Sequence, residues 1–482
     1  MKDIFIARDK ECATLRDCLL SERSEFIIIY GRRRIGKTYL IDRFFDGNYD
    51  FTFVGAHRAT QQVQLRNFAK ALKKYTQSKT APSFANWYDA FDALEEYLET
   101  QPTERKKVVF IDEMPWIDTQ KSEFVNALEN FWNGWANRRT DIMFIATGSA
   151  TSWMADKLID NQGGLHARIT ANIYLRPFTL AETEQYLRIR GCRWDRYQIL
   201  QCYMLFGGVP FYLRQLNIKD SLAQNVDRLF FAVNGVMRME FDELYHALFN
   251  YSDQYINIVK ALANHREGMT RNELAKECNT AGDRLTKVLK NLERCDFIAK
   301  STQYGNKKKD AIYRLIDLYT LFYYKFIDND TAEDPQWWSN NIDARSVSSW
   351  MGLCFELVCL MHKQQIKRAL GLAVVSTNIA AWRQHRKASE HEGAQIDLII
   401  ERADRIIHLC ELKFSTSEYR ITEEYEQKLR HRMALFNEAT NTRKTLVNTF
   451  ITTFGVVDGK HKSIVHSEVT IDDLFNHESG KL

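Results

Sequence analysis

Short apolar runs alternate with helix-like segments over the first 180 residues. The runs are rich in β-branched and aromatic residues, as strands are, and lie at 26–30, 50–55, 107–111, 141–149 and 171–175. Between them, apolar residues recur at the spacing of amphipathic helices. Strands that alternate with helices predict an α/β fold with a doubly wound parallel sheet. We expect this sheet in residues 1–178 and a helical lid over 179–250.

Residues 251–330 follow a different pattern. Three short helical segments begin near positions 255, 270 and 281, and the third has an apolar stripe at Leu285, Val288, Leu289 and Leu292. Thr270 and Glu273 have the spacing of a capping box. Two apolar stretches, 297–300 and 311–315, flank a polar tip with Lys307, Lys308 and Lys309. This order predicts a winged helix.

Residues 331–345 look like a connection to a last domain over 345–482. That domain begins with an apolar helix, 349–362, in which Glu356 is the single acid. Two strands around a turn at 402–405 then predict a hairpin. If the centre of this hairpin lies near residues 403 and 404, the numbers of two residues that face each other across the strands sum to about 807. This register places Asp397 opposite Cys410 and beside Glu411.

Composition narrows the class of protein. The 482 residues are 45% hydrophobic and 27% charged, with 6 prolines and 21 glycines, which fits several folded domains rather than a disordered chain. Apolar runs are far shorter than the roughly 18 residues that cross a bilayer, and charge follows Met1 too soon for a signal peptide. We therefore expect a cytoplasmic protein without a membrane partner. The nine cysteines are scattered, which favours buried thiols over disulfides or zinc.

The strand at 26–30 leads directly into a phosphate-binding motif. Residues 31–38 read Gly-Arg-Arg-Arg-Ile-Gly-Lys-Thr, the P-loop pattern, and a helical segment follows. Backbone N–H groups of such a loop bind phosphate oxygens, Lys37 reaches the β and γ phosphates, and Thr38 offers its hydroxyl to Mg²⁺. At least one of the loop's three arginines must point away from the phosphates. The residues expected to bind ATP are Gly31, Arg34, Ile35, Gly36, Lys37, Thr38 and Tyr39.

Two further strands end in residues that suit ATP hydrolysis. Asp112 ends an apolar strand and would hold Mg²⁺ directly or through water, and Glu113 is placed to polarise the attacking water. The strand at 141–149 ends in small polar residues, of which Thr147 or Ser149 would sense the γ-phosphate. An ordinary strand-to-loop turn is the alternative for that segment.

These motifs together resemble the archaeal-type ATPase family, one of the signal-transduction ATPases with numerous domains, which are relatives of the AAA+ proteins. The resemblance covers roughly residues 1–250 and includes 31–38, 110–116, 147–149, 168–178 and 207–210. It implies that Arg8 lies beside the adenine, although Ala7 stands where the family commonly has glycine. It also implies that Pro210 contacts the nucleotide from the lid and that Arg168 acts as a sensor or finger arginine.

Charge is concentrated in the predicted winged helix. The chain has 66 basic and 62 acidic side chains, a net charge of +4, whereas residues 251–325 have 14 basic and 9 acidic side chains. Arg284, Lys287 and Lys290 on the third helix, with the lysine-tipped wing, could hold DNA phosphates. An intramolecular clamp or a protein contact is the alternative for this region.

The last domain resembles the PD-(D/E)XK nuclease superfamily, in the form of the domain of unknown function often fused to archaeal-type ATPases. The resemblance rests on Glu356, Asp397, Glu411 and Lys413, in a restriction-endonuclease-like α/β arrangement with a helix after the hairpin. Two acids, Asp397 and Glu411, would hold Mg²⁺, and Lys413 would orient water or stabilise charge on a phosphate. An inactive or binding-only version of the fold and a surface hairpin with fortuitous acids are the alternatives.

The sequence therefore predicts an ATP-binding and ATP-hydrolysing switch coupled to a DNA-binding, metal-dependent nuclease-like domain, with ATP and Mg²⁺ as cofactors. The competing hypothesis is a regulatory ATP-dependent protein that binds DNA or protein without cutting it. The oligomeric state stays open, with a homo-oligomer among the alternatives.

Overall fold

The computed structural model describes residues 6–102, 104–149, 151–160, 164–165, 167–249, 252–305, 311–328, 334–384 and 394–476. The chain divides into two compact units. The first comprises residues 1–177 with 248–250, and the second comprises 178–247 with 251–482. Among the described residues, no helix combines the length and the apolar character that crossing a bilayer requires.

A five-stranded parallel sheet forms the centre of the first unit, as the alternation of strands and helices predicts. Its strand order is β2-β3-β4-β1-β5, and each neighbouring pair is parallel. The strands are β1 (Glu25–Tyr30), β2 (Phe51–Val54), β3 (Lys107–Asp112), β4 (Ile142–Gly148) and β5 (Ala171–Tyr174).

Helices cover both faces of this sheet because successive side chains of a strand point to opposite sides. On β1, Phe26 and Ile28 enter one core, whereas Ile27 and Ile29 enter another. The helices of the first unit are α1 (Asp9–Leu20), α2 (Lys37–Phe45), α3 (Gln61–Thr76), α4 (Trp87–Glu99), α5 (Phe124–Gly134) and α6 (Thr151–Met154).

The second unit begins with the predicted lid, which is helical. Gly207 and Gly208 separate its second and third helices with φ angles of 64° and 67°, where a residue with a Cβ atom is strained. A Cβ atom on Gly208 would lie 2.2 Å from the carbonyl oxygen of Phe178. The helices are α7 (Leu180–Ile189), α8 (Arg196–Phe206), α9 (Pro210–Arg214), α10 (Leu222–Val226) and α11 (Val236–Leu248).

Within the region predicted as a winged helix, the described residues between 252 and 315 contain three helices and a three-stranded antiparallel sheet of order β6-β8-β7. The capping box of Thr270 and Glu273 is present. Residues 306–310, which include the three wing-tip lysines, lie outside the described residues. The elements are α12 (Ser252–Asn264), β6 (Met269–Thr270), α13 (Arg271–Glu277), α14 (Gly282–Arg294), β7 (Ile298–Ser301) and β8 (Ile312–Leu315).

The prediction of a plain connection over 331–345 is wrong in part. Helix α15 (Leu318–Phe322) precedes it, and α16 (Trp337–Asn341) lies within it. Trp338 is 1% exposed, and its ring lies 5.3 Å from that of Phe322. The burial of the Trp338 indole packs this segment against the other residues of the second unit. The mostly polar sequence of the segment does not indicate that packing.

The described residues of the last domain, 345–384 and 394–476, contain a mixed sheet of order β13-β12-β11-β10-β9. Strands β9, β10 and β11 are antiparallel neighbours, whereas β12 and β13 run parallel to β11. The elements are α17 (Arg345–Met361), α18 (Lys363–Ala369), β9 (Thr377–Gln384), β10 (Ala394–Arg402), β11 (Ile406–Lys413), α19 (Glu423–Thr440), β12 (Thr445–Thr452), β13 (Val465–Val469) and α20 (Ile471–Leu474).

The β10–β11 hairpin forms as predicted, but its register differs by one residue. Cys410 pairs with Leu398 rather than with Asp397. The turn contains three residues instead of an even number, and its last residue, Arg405, has a φ of 73°. The shift brings Asp397 level with Glu411.

Candidate functional site

The loop between β1 and α2 has the backbone shape that phosphate binding requires. Gly31 approaches β5 so closely that a Cβ atom would lie 2.2 Å from the carbonyl oxygen of Leu175. Arg34 and Gly36 have φ angles of 74° and 87°, and Gly36 immediately precedes α2. The first backbone N–H groups of a helix have no intrahelical acceptor, so the loop and the start of α2 offer donors to an anion.

Lys37 and Thr38 contact the loop and the neighbouring strand. Lys37 is 6% exposed, and its Nζ atom donates to the carbonyl oxygens of Gly31 and Arg32 at 3.1 Å each. Thr38 donates its hydroxyl to Oδ2 of Asp112 at 2.8 Å. The ammonium, hydroxyl and carboxylate groups therefore meet at one end of the sheet.

The other predicted loop residues differ in exposure. Ile35 is 1% exposed and belongs to the core, whereas Tyr39 is 41% exposed and carries the Arg43 guanidinium 5.3 Å above its ring. Among the loop arginines, Arg34 is half-buried. Arg32 is buried, at 3% exposed, so not every arginine of the loop points away from the protein.

The ends of β3 and β4 bring the two acids and both sensor candidates together. Asp112 accepts a short hydrogen bond from the hydroxyl of Thr147. Burial, together with the nearby Glu113, raises the pKa of Asp112, although Thr147 and Thr38 lower it through hydrogen bonds. Ser149 donates to Oε2 of Glu113 from its backbone N–H at 3.1 Å and from its hydroxyl at 2.7 Å. Each acid therefore has its own hydroxyl partner.

The remaining predicted nucleotide contacts have distinct surroundings. Arg8 is buried and donates to the carbonyl oxygen of Arg176 at 2.7 Å, which joins the segment before α1 to the end of β5. Ala7 has a φ of 58°, a backbone conformation in which glycine would be unstrained. Arg168 is exposed. Pro210 is the first residue of α9 in the second unit.

These residues fit a bound nucleotide with Mg²⁺. The backbone donors and Lys37 match the charge of phosphates, and Thr38 and Asp112 supply oxygen atoms, the ligands that Mg²⁺ prefers. The 2.8 Å hydrogen bond between these two side chains places both oxygens at one point.

A second cluster lies in the second unit and contains all four residues of the nuclease-like motif. Burial raises the pKa of Glu356 to about 8, and the next largest cause is the charge of Asp397. Arg314, Lys413 and Glu411 also act on the Glu356 carboxyl group. Helix α17 and the β10–β11 hairpin thus bring Glu356, Asp397, Glu411 and Lys413 within electrostatic reach of one another.

Basic side chains hold Glu411 inside this cluster. Glu411 is 6% exposed, and its carboxylate lies 2.8 Å from Nζ of Lys413. Short contacts join it to Arg432 and to the hydroxyl of Tyr425, both on α19. Burial opposes ionisation, but Arg432 and Lys413 hold the pKa of Glu411 below its usual range. Burial opposes the charge of Lys413 as well, but Glu411 and Tyr425 raise the pKa of Lys413 above its usual value.

Asp397 is held differently. Its Oδ1 atom accepts from Nε2 of Gln395 at 2.7 Å and from Nη2 of Arg314 at 2.9 Å. Arg314 belongs to β8, in the region predicted as a winged helix.

This arrangement does not fit a bound metal ion as it stands. Carboxylates suit Mg²⁺ chemically, but those of Asp397 and Glu411 are paired with cationic side chains. In the described part of the chain, no three His, Cys, Asp or Glu residues are placed to hold a metal ion. Metal binding by Asp397 and Glu411 stays a prediction.

Helix α14 displays a basic surface. Arg284, Lys287 and Lys290 are exposed, whereas the stripe that includes Leu285 and Val288 is buried. Arg284 also donates to Oε1 of a glutamine, Gln254, at 2.6 Å. The helix thus has the two faces that its sequence predicts.

Comparison with known proteins finds similarity in the part of the chain that contains the first of the two sites. Residues 5–216 match the family model of an ATPase domain predominantly from Archaea. This part of the chain is therefore similar to an archaeal-type ATPase domain. An uncharacterised protein of Methanocaldococcus jannaschii is 25% identical over 403 residues, which are 82% of this chain and 84% of the relative.

Solved structures with similarity to the chain include other ATPases. The Walker-type ATPase of Pyrococcus abyssi is 19% identical, with a TM-score of 0.49 over 67% of this chain and 97% of that one. The ORC2 protein of Aeropyrum pernix, in ADPNP and ADP complexes, is 14% identical, with a TM-score of 0.40 over 67% and 95% of the two chains. A STAND protein of Pyrococcus horikoshii with a tetratricopeptide repeat sensor is 14% identical, with a TM-score of 0.30 over 76% and 50%.

Outside the ATPase domain, sequence reasoning missed three residues of the carboxylate cluster. Tyr425 and Arg432 are seven positions apart on α19, and two helical turns place both on one face. That spacing, directly after the predicted hairpin, is a signal that could have identified them. Arg314 is 83 residues from Asp397, and no local pattern links the two.

Proposed function

We propose that the chain binds and hydrolyses ATP with Lys37, Thr38, Asp112 and Glu113. The observation that carries this proposal is the convergence of two contacts at the carboxyl ends of β3 and β4, Thr38 with Asp112 and Ser149 with Glu113. Parallel α/β sheets bind their ligands at this edge.

Each residue has a distinct task in this reaction. Lys37 compensates the negative charge of the β and γ phosphates, and Thr38 and Asp112 would hold Mg²⁺. When bound, Mg²⁺ neutralises charge that develops on the phosphate oxygens. Glu113 accepts a proton from the attacking water while the water oxygen bonds to the γ-phosphorus and the bond to the β–γ bridging oxygen breaks. The Ser149 hydroxyl holds the Glu113 carboxylate in position for that transfer.

Two substitutions separate binding from hydrolysis. Lys37→Ala removes the phosphate-binding charge and should abolish ATP binding, measured by equilibrium binding of a fluorescent ATP analogue. Glu113→Gln keeps that charge and should bind ATP but release phosphate at least about 100-fold more slowly. Lys74→Ala and Glu96→Gln, at exposed positions of α3 and α4, are the matched controls. Unaltered binding and turnover in both site variants would refute the assignment.

We further propose that residues 345–482 are a PD-(D/E)XK-like domain that acts on nucleic acid under control of the ATPase domain. The convergence of Glu356, Asp397, Glu411 and Lys413 supports this second activity. Cleavage of supercoiled DNA, linear DNA and RNA is measured with Mg²⁺ or Mn²⁺, with and without ATP. Cleavage that Asp397→Asn abolishes is the expected result. Without cleavage under any condition, the competing proposal of a regulatory domain that binds without cutting is favoured.

The basic face of α14 is the proposed DNA contact of the predicted winged helix. Its three cationic side chains are exposed on the side opposite the buried stripe. Replacing Arg284, Lys287 and Lys290 with alanine should weaken DNA binding and lower the slope of log K against log salt by up to about 3. A triple variant with the wild-type slope would assign this face to protein contacts.

A further inference from the structure

We infer that Arg314 takes the place of a metal ion at Asp397, and that the β8 strand must withdraw before metal can bind there. This inference rests on the proposed nuclease-like function of residues 345–482. It defines a regulatory contact that blocks the nuclease-like cluster in the described arrangement.

Arg314 is fixed at both ends of its guanidinium group. Nη2 donates to Oδ1 of Asp397 at 2.9 Å, and Nε donates to the carbonyl oxygen of Glu267 at 3.2 Å. The residue is 9% exposed. A buried, doubly anchored guanidinium group has lost its freedom already, so its ion pair is stronger than that of a mobile surface arginine.

A wider contact holds β8 against the last domain. The segment after β7 forms a parallel bridge from Gln303 to Ala381 on β9, the edge strand of the mixed sheet. The Tyr304 N–H group donates to the Ala381 carbonyl oxygen at 2.7 Å. Arg383, also on β9, lies 3.5 Å from the carboxylate of Glu267. Arg314 therefore reaches Asp397 as part of a docked surface.

The sheet is irregular at this contact. The pairing of β10 with β9 shifts between Ile396 and Ile399, so that Asp397 and Leu398 together lie opposite Ala381. Such a bulge redirects the side chains within it. The docked segment thus bridges to Ala381, the residue of β9 that lies opposite Asp397 and Leu398.

Arg314 and a metal ion exclude each other at this position. Both are cations that the Asp397 carboxylate would attract, and at a few ångströms two like charges repel strongly in a site with little water. Arg432 and Lys413 also neutralise acids of the cluster, but they come from the elements that build it. Only Arg314, among these three cations, comes from the region predicted as a winged helix, so docking and undocking of that region would control it.

The test measures Mn²⁺ binding to the full chain by electron paramagnetic resonance of the free ion, without nucleotide. Asp397→Asn defines which part of the binding depends on the cluster. Arg314→Gln should bind Mn²⁺ about tenfold more tightly than wild type at that part, the size of a typical coupling between exclusive ligands. Arg383→Gln is the matched control, because Arg383 joins the same two regions without touching a carboxylate of the cluster, and should stay within about twofold of wild type.

The possible results separate the two proposals. Equal Asp397-dependent affinity in wild type and Arg314→Gln would overturn the role of Arg314 while leaving the metal site in place. Absence of Asp397-dependent binding in both would refute the nuclease-like site itself, and the inference with it. If Arg314→Gln does not fold, Arg314→Met is used, since methionine keeps an extended, unbranched side chain without the charge that pairs with Asp397. A gain over wild type supports the inference, and wild-type affinity contradicts it.

Discussion

The ion pair between Lys107 and Asp141 links the starts of the two strands that carry Asp112 and Thr147. Lys107 is the first residue of β3, and Asp141 immediately precedes β4. Their side chains are 1% and 11% exposed, and Nζ of Lys107 lies 2.9 Å from Oδ2 of Asp141. We expect Asp141→Asn to loosen this part of the ATPase domain because it leaves a buried ammonium group without its counter-charge.

The structure gives the size of this effect. Hydrogen bonds from Arg139 lower the pKa of Asp141 from 3.8 to about 2, with Lys107 contributing further. Allowing for solvent near Arg139, which is 25% exposed, this shift corresponds to about 2 kcal/mol. The desolvated Lys107 charge raises the cost of the substitution to about 3–5 kcal/mol. The carboxylate's contribution is present above pH 3.8 and is lost as the pH falls through 2.

Hydrogen exchange followed by mass spectrometry measures the free energy of local opening of β3 and β4. For a chain of two units, this local measurement is better defined than a global melting temperature. In Asp141→Asn, peptides from β3 and β4 should lose about 3 kcal/mol or more of opening free energy. The double variant Lys107→Met, Asp141→Asn removes the unpaired charge and should regain the part due to Lys107, about 1–3 kcal/mol, whereas the loss of the Arg139 hydrogen bonds remains. The control is Arg105, which pairs with Asp50 and whose side chain is 64% exposed. Arg105→Gln should therefore lower the opening free energy by less than about 1 kcal/mol. A double variant as unstable as the sum of its singles would refute this reasoning.

Three further substitutions test the second unit. Gly208→Ala should lower the free energy of unfolding in a urea titration by more than about 2 kcal/mol, because Gly208 has a φ of 67° and a Cβ atom would lie 2.2 Å from the Phe178 carbonyl oxygen. Gly371→Ala is the control: its φ is 68° but the space around it is open, so it should cost about 1 kcal/mol. Burial lowers the pKa of His408 to about 4, so the wild type should lose up to about 3 kcal/mol between pH 6.5 and 4 as the unfolded state takes up the proton. His408→Gln should flatten that pH profile, and an unchanged profile would contradict the assignment. Trp338→Ala should cost about 3–5 kcal/mol in calorimetry; a loss below about 1 kcal/mol would show that the indole does not hold α16.

The ATPase domain was predictable because its signals are local. Each strand of the parallel sheet is a compact apolar run, and the chemistry lies at or just after the strand end, as Asp112 ends β3 and Glu113 follows it. The contacts between residues at different strand ends were predictable without knowledge of the tertiary structure, since parallel strands place their carboxyl ends at one edge of the sheet. The pairing of Ser149 with Glu113 rather than with Asp112 needed side-chain geometry.

The last domain was predictable only in part. The hairpin and the helix behind it follow from alternation and spacing, but the register depends on whether the turn has two or three residues, which the φ of Arg405 decides. The contact between Arg314 and Asp397 joins residues 83 positions apart. This contact forms because the sheet that contains β8 docks beside the mixed sheet. The periodicity of a sequence does not predict how two sheets dock.

The segment at Gln303 and Tyr304 has a consequence for solubility. It occupies backbone groups of β9, which is the outermost strand on its side of the mixed sheet. Exposed edge strands pair readily with strands of other molecules. Undocking of this segment from Ala381 would therefore expose the backbone groups of β9 to strands of other molecules. The bridge at Gln303 and Tyr304 thus protects the edge of the mixed sheet against pairing between molecules.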